Sequence, residues 1–320
     1  MTDSGGKPRR HVLFLAYYFP PLGLSGVQRA SKFAKYLPEY GWDVTVLTAE
    51  PRGYFAYDDT LLEDLAQSGV KIVRTRSLDP TRLYGRARVV NLPRESRRRW
   101  ASALTNIFFV PDNKIGWFLS GRKAGLASHS EHAFDAVLSS APPYTSHLMA
   151  ASISRRLELP LVLDFRDDWV GNPRHTYPTR LHRQLHERLE HRVVRSASAT
   201  ITINRIIADS LDSRCRARGI TAPIHVIPQG FDPEDFSDQH VTDRPMDSPV
   251  FRFLYSGIFY DAQTPIPFLN GLRLALEQRP ELRSQIAADF VGLVPDDFRK
   301  FVDGAGLSDV VNYLGYESHS

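Results

Sequence analysis

Six consecutive residues, Asp164-Phe165-Arg166-Asp167-Asp168-Trp169, hold three carboxylates and a guanidinium. They close the apolar run "PLVLDF" that begins at Pro160, so they stand at the C-terminal end of a predicted strand. Side chains alternate faces along a strand, which puts Asp164 and Arg166 on one side and Asp167 on the other. Such charges are costly to bury unpaired. They suit either an internal ion pair that organises the turn or a set of groups held ready for a polar ligand.

A second stretch, "YYFPPLGLSGVQR", runs from Tyr17 to Arg29 between a predicted strand and a predicted helix. A plain connection of this kind needs only a few polar residues. Gly23 and Gly26 lack a Cβ, so a ligand can come close to the backbone. Ser25 can donate a hydrogen bond, and the start of the following helix offers free N–H groups and positive potential. Pro20 and Pro21 stiffen the entry. The glycines are spaced Gly-x-x-Gly rather than Gly-x-Gly-x-x-Gly, which disfavours nicotinamide binding. The alternative is a loop shaped only for tight strand-to-helix packing.

The elements that must position these groups alternate in type. "HVLFLAY" from His11, "WDVTVLTA" from Trp42, "VKIVRTRS" from Val70, "AFDAVLSSA" from Ala133, "PLVLDFRD" from Pro160, "ASATITIN" from Ala197 and "IHVIPQG" from Ile224 read as strands. Helical patterns lie among them: "VQRASKFAKYLPEYG" closed by Gly41, "YTSHLMAASISRRLEL" with prolines at its start, a long polar helix from about Pro178 to Val194, and "RIIADSLDSRCRARG". Strands separated by helices imply parallel βαβ units in a doubly wound α/β sheet. The acidic, proline-bearing stretch 231–249 reads as a linker. After it the alternation restarts with "FRFLYSG", "PFLNGLRLALEQ", "AADFVGLV", "DDFRKFVDG" and "VVNYLGY". Two domains are therefore expected, 1–235 and 236–320, the second small for an α/β domain.

Composition narrows the class. Hydrophobic residues at 42% and charged residues at 24% are ordinary for a soluble globular chain of 320 residues. A single cysteine, Cys215, permits no intrachain disulfide. No 18-residue apolar run is found, and the first ten residues, MTDSGGKPRR, are polar and lack the apolar region of a signal peptide, so a cytoplasmic location is expected. The net charge of +4 is unevenly spread: seven arginines and one acid, Glu95, lie between Arg82 and Arg99. Arg97, Arg98, Arg99 and Trp100, followed by Leu104, Ile107, Phe108 and Phe109, suit an anionic membrane surface. The alternative there is a solvated arginine cluster beside an ordinary core helix. No nucleic-acid-binding module is recognised, and nucleic acid is not an expected partner.

Taken in order, "YYFPPLGLSGVQR", "KFAKYLPEYGWDVTVLT", "SSAPPYTSHLMA", "LVLDFRDDW", "TITIN" and "IPQGFD" resemble the N-terminal half of glycosyltransferase family four. The resemblance implies the GT-B fold of two Rossmann-like domains, with the second incomplete here. It also implies retaining transfer of a sugar from a nucleotide-diphosphate donor to a glycan, lipid-linked or small-molecule acceptor, with no cofactor. By the same resemblance Gly23, Ser25 and Gly26 face the donor diphosphate and the acceptor. Arg166 and Asp167 hold acceptor hydroxyls or stabilise positive charge on the sugar. His147, in the first turn of its helix, either meets the cleft or is structural.

Retaining transfer makes the anomeric carbon oxocarbenium-like and the departing diphosphate negative, so fixed donors must meet that charge. In related enzymes an arginine or lysine just after the first strand of the second domain contributes. Here that strand ends at the substrate-side Gly257, and Ile258 and Gln263 stand where cations are expected. The family's paired glutamates eight residues apart are expected beyond Ser320. The chain thus reads as a fragment of a longer enzyme or a short relative. A sugar- or nucleotide-binding module, and a GT-B epimerase or phosphorylase, are the competing functions.

Weaker signals have plainer readings. His182, His186 and Glu190 share one helix face at metal-ligand spacing, but Leu181, Leu185 and Leu189 read as the buried stripe, with the histidines flanking it and no metal bound. Cys215 lies among arginines that would lower its pKa if it were exposed. Asn204 reads as a helix N-cap.

Overall fold

A computed structural model describes residues 8–23, 25–54, 56–80, 107–173, 175–236, 250–259 and 263–317. Arg97, Arg98, Arg99, Trp100, the rest of the basic run and most of the expected linker lie outside the described residues, as does the side chain of Ser25. The described residues fall into two compact units, one ending at Phe231 and the other beginning at Asp232.

The first unit is built on seven parallel strands: β1 Arg10–Ala16, β2 Trp42–Ala49, β3 Lys71–Thr75, β4 Ala136–Ala141, β5 Leu161–Phe165, β6 Ala199–Thr202 and β7 Ile224–Val226. Their order is β3-β2-β1-β4-β5-β6-β7. β1 is an interior strand, with Phe14 level with Val46 on one side and Leu138 on the other. A strand covered on both faces needs an unbroken apolar run, which "HVLFLA" supplies. Helices α1 Ser25–Tyr36 and α2 Thr60–Ala66 cover Val12 and Phe14 through Ala30, Ala34 and Leu65. Helices α3 Phe118–Glu131, α4 Thr145–Leu157, α5 Arg180–Ser196 and α6 Arg205–Arg216 serve the other core, where Leu13, Leu15 and Leu163 meet Met149, Ile153, Val193 and Leu211.

Local signals set several boundaries. Gly41 closes the turn after α1 at φ 80°, a left-handed conformation that glycine adopts without penalty. Asn204 accepts the Ile207 N–H at 2.9 Å and caps α6, as its position predicts. The sequence reading missed α2 and α3. α3 has no apolar stripe; its buried residues are Gly121, Gly125 and Ser128. A Cβ at Gly121 would sit 2.5 Å from Met149 Sδ, and one at Gly125 would sit 2.8 Å from Ile153 Cδ1. Helix α3 thus lies on α4 by omission of side chains, a pattern that hydrophobic periodicity does not register.

The second unit has three parallel strands, β8 Phe251–Ser256, β9 Ile286–Val291 and β10 Val311–Gly315, in the order β10-β9-β8. Helices α7 Ile266–Gln278 and α8 Asp296–Gly304 bring Leu269, Leu272, Leu276 and Val302 onto Phe290 and Val311. Among the described residues no helix is long and apolar enough to cross a membrane.

Candidate functional site

The strand order reverses between β1 and β4, and open α/β sheets bind ligands in the crevice outside such a point. The chain leaves β1 into the proline- and glycine-bearing loop, and leaves β4 into Pro142 and Pro143. The floor of the first loop is fixed. Tyr17 donates to Asp79 at 2.5 Å, and Lys114 Nζ lies 3.2 Å from the same carboxylate; all three side chains are buried. Gly23 donates its N–H to the Ala56 carbonyl at 2.9 Å, so that donor is used within the fold. Gly26 lies in the first turn of α1, and its carbonyl accepts from Arg166 Nη1.

The three acids of the 164–169 segment have three different fates. Asp164 is fully buried and takes Arg29 Nη2 at 2.8 Å, Arg29 Nε at 3.1 Å and Ser140 at 2.8 Å. Arg29 also donates to the carbonyls of Ile227 and Pro228 at 3.0 Å, tying α1 to β5 and to the chain after β7. Asp168 receives Arg214 Nη2 at 2.5 Å and Ser210 at 2.7 Å. Asp167 alone is exposed. Arg166 turns to the α1 side, as Asp164 does, and spans the carbonyls of Gly26 and Pro142. Its Nε is buried without a hydrogen-bond partner. Burial lowers its pKa, against the opposing pull of Asp164 and Asp167.

Tyr144 completes this end of the sheet. Its ring stacks on Trp169 with centroids 4.5 Å apart and planes at 4°, and its hydroxyl donates to the Asp168 carbonyl at 3.1 Å. Burial, reinforced by Asp167, Glu190 and Asp168, raises its pKa well above 10, so it stays a donor. Asp112 takes the N–H and hydroxyl of Thr145 at 2.9 and 2.8 Å, satisfying the start of α4 from 33 residues away.

His147 does not meet the crevice. It is 0% exposed, its Nδ1 is 2.9 Å from Ser139 Oγ, and its ring packs on Phe165 at 4.5 Å. Burial, then the charge of Arg166, pushes its pKa down to about 3, so the ring is neutral at pH 7.

Helix α5 corrects a second expectation. Leu181 and Leu185 are 68% and 39% exposed, whereas His186, Glu190, His191, Val193 and Val194 are buried. His186 and Glu190 can be inside because they are satisfied. Trp169 Nε1 donates to His186 Nδ1 at 3.0 Å, and Glu190 takes Arg214 Nε at 2.8 Å and the Val170 N–H at 3.1 Å. These bonds commit His186 and Glu190 to the fold. Cys215 is also buried, and desolvation lifts its thiol to about 11, against the lowering expected for an exposed position. Arg29, Arg214 and Tyr144 were not singled out from the sequence, and Glu190 was read there only as part of a helix face flanking a leucine stripe. The available signal was the need of three adjacent acids for cations.

In the second unit Gly257 ends β8 at φ 150°, donates its N–H to Val291 at 2.9 Å and leads into the buried Ile258. Gln263 is exposed. A cavity of about 330 Å³ lies on β8 and β9, walled by Phe253, Tyr255, Phe268 and Phe290. Its acid, Asp289, is paired with Arg252 at 2.9 Å and with Asn312 at 2.7 Å.

Known proteins agree with this architecture. The family model of the glycosyl transferase 4-like domain matches residues 26–230. No curated protein matches the sequence. Anabaena HepE, solved in complex with UDP and glucose, superposes with a TM-score of 0.53 at 17% identity, over 97% of this chain and 70% of that one. Sucrose-phosphate synthase from Thermosynechococcus elongatus gives 0.56 at 12%, over 97% and 71%. The trehalose 6-phosphate synthase of Burkholderia multivorans gives 0.54 at 11%, over 97% and 73%. These likenesses establish the GT-B fold, and with the matched model covering well over half of its length, the chain belongs to the glycosyl transferase 4-like family.

Proposed function

We propose that the protein transfers a sugar, with retention, from a nucleoside-diphosphate donor to a hydroxyl of a glycan, lipid-linked or small-molecule acceptor. The observation that carries this reading is the grouping at the strand-order switch. There the Arg166 guanidinium meets the first turn of α1 at the Gly26 carbonyl, and the next residue along the chain, Asp167, is exposed. The family match and the likeness to HepE, solved with UDP and glucose, support it.

In the reaction the bond from the anomeric carbon to the diphosphate oxygen breaks and a bond to the acceptor oxygen forms. The acceptor proton passes to the departing phosphate, so no separate base and no cofactor is needed. Asp167 is assigned to the acceptor hydroxyls and to the positive charge that grows on the sugar. Gly23 and Gly26 let the substrate approach the backbone, Ser25 is assigned a hydrogen bond to it, and Gly257 is assigned to the donor side. The basic run with Arg97, Arg98, Arg99 and Trp100 is assigned, on composition alone, to the inner face of an anionic membrane bearing a lipid-linked acceptor.

The test is turnover of a panel of UDP- and GDP-sugars by the full chain, with the product anomer read by NMR. Nucleotide release that persists in EDTA, with retained configuration and loss in Asp167→Asn, supports the reading; inversion or an unaffected Asp167→Asn rejects it. One observation favours a second reading, binding without transfer: Ile258, at a position where the resemblance leads one to expect a cation, is an apolar buried residue, and Gln263, at the other, is uncharged. Calorimetric binding of a nucleotide sugar with no nucleotide release would select it.

A further inference from the structure

Asp167 stands between two neighbours that are each held fast. On one side the Arg166 N–H donates to the Ala141 carbonyl at 3.0 Å, and its guanidinium spans Gly26 and Pro142. On the other side the Asp168 carboxylate takes Arg214 through Nη2 at 2.5 Å and Nη1 at 3.2 Å, Ser210 at 2.7 Å and the Gly171 N–H at 3.3 Å. Arg214 also grips Glu190 with Nε at 2.8 Å and Nη2 at 3.1 Å, and Glu190 takes the Val170 N–H. One guanidinium on α6 thus fixes the turn at residue 168 directly and at residue 170 through Glu190.

We propose that Arg214 is the positioning residue for Asp167, a role that rests on the reading of Asp167 as the group that meets substrate. The fork geometry of a guanidinium allows one side chain to serve both carboxylates; a lysine ammonium cannot reproduce it. At Gly171 the turn lies close against this pair. A Cβ there would overlap Asp168 Oδ2 and lie 2.8 Å from Arg214 Nη1, so a side chain at 171 must displace the ends of the clamp. Burying one cation with two carboxylates is a poor way to gain stability. What it supplies is a single geometry for the exposed residue between the clamps, and a displacement of an ångström at such a group can cost about 100-fold in rate.

The experiment compares the full chain with Arg214→Lys, Gly171→Ala, Asp167→Asn and Arg216→Gln. Arg216 is an exposed control on the same helix, paired with Asp212. Amide exchange is followed over residues 166–171, and nucleotide release is followed with UDP-glucose as the probe. In Arg214→Lys and Gly171→Ala, exchange over 166–171 should rise about 10-fold or more while residues 161–165 keep their protection. kcat should fall about 10- to 100-fold with KM within about two-fold. Arg216→Gln should change neither. Unchanged exchange in Arg214→Lys overturns the proposal, even if the wild type does not turn over this donor. Faster exchange with unchanged kcat also overturns it, provided Asp167→Asn lowers kcat. If Asp167→Asn leaves kcat intact, it is the underlying reading of Asp167 that fails.

Discussion

Arg29 and Asp164, 135 residues apart in the chain, form a buried two-pronged ion pair that joins α1 to β5 behind the exposed Asp167. Both side chains are almost wholly enclosed, at 4% and 0% exposure, so removing one partner strands a charge. Arg29→Met should destabilise the first unit by about 3–5 kcal/mol in urea unfolding. The double variant Arg29→Met/Asp164→Leu should recover part of that loss, because no unpaired charge is left.

His147 gives the stability of the first unit a dependence on pH. Its folded pKa of about 3 lies below the ordinary 6.5, so below pH 6.5 the unfolded chain takes up a proton that the folded one refuses. Stability is therefore lost as pH falls from 6.5 toward 3, by about 1.4 kcal/mol per pH unit for this ring. The difference in unfolding free energy between wild type and His147→Asn should be constant above pH 7 and shrink between pH 6 and 4.

Helix α3 reaches α4 only because Gly121 and Gly125 carry no side chain. Gly125→Val forces a branched group against Ile153, Leu13 and Leu47 and should cost about 1–3 kcal/mol by overpacking. Gly125→Ala should cost less, and urea midpoints of the two variants will rank them.

Gly26 separates packing from function. A Cβ there would lie 3.5 Å from Arg166 Nη1, an ordinary contact, so Gly26→Ala should fold with a change of stability under about 1 kcal/mol. Gly26→Trp would fill the approach beside Arg166. It should remain folded by circular dichroism yet lose nucleotide release in the sugar-transfer assay.

In the second unit Gly292 sits at φ 116°, and a Cβ there would overlap the carbonyl oxygen of Gly257 at the end of β8. Backbone cannot yield as a side chain can, and the left-handed φ adds strain. Gly292→Ala should therefore raise amide exchange in β8 and β9 while β1 and β4 keep their protection.

The amino-acid sequence determined what is local or periodic. The apolar runs of β1 and β2, the helical pattern of α1, the Gly41 stop and the Asn204 cap specify their elements without distant partners, and their alternation specifies parallel α/β sheets. Motif order likewise pointed to the family. The period of two set Asp164 and Arg166 to one side, but periodicity says which way a side chain points and not what it meets. Only tertiary structure decided that Asp164 is consumed by Arg29, that Asp168 is consumed by Arg214 and that Asp167 is left exposed. It also decided that α5 turns His186 and Glu190 inward and leaves Leu181 and Leu185 out. The physical reason is one of satisfaction. His186 and Glu190 are buried where partners from other elements meet them, and those partners, Trp169 and Arg214, come from outside the helix whose pattern was being read.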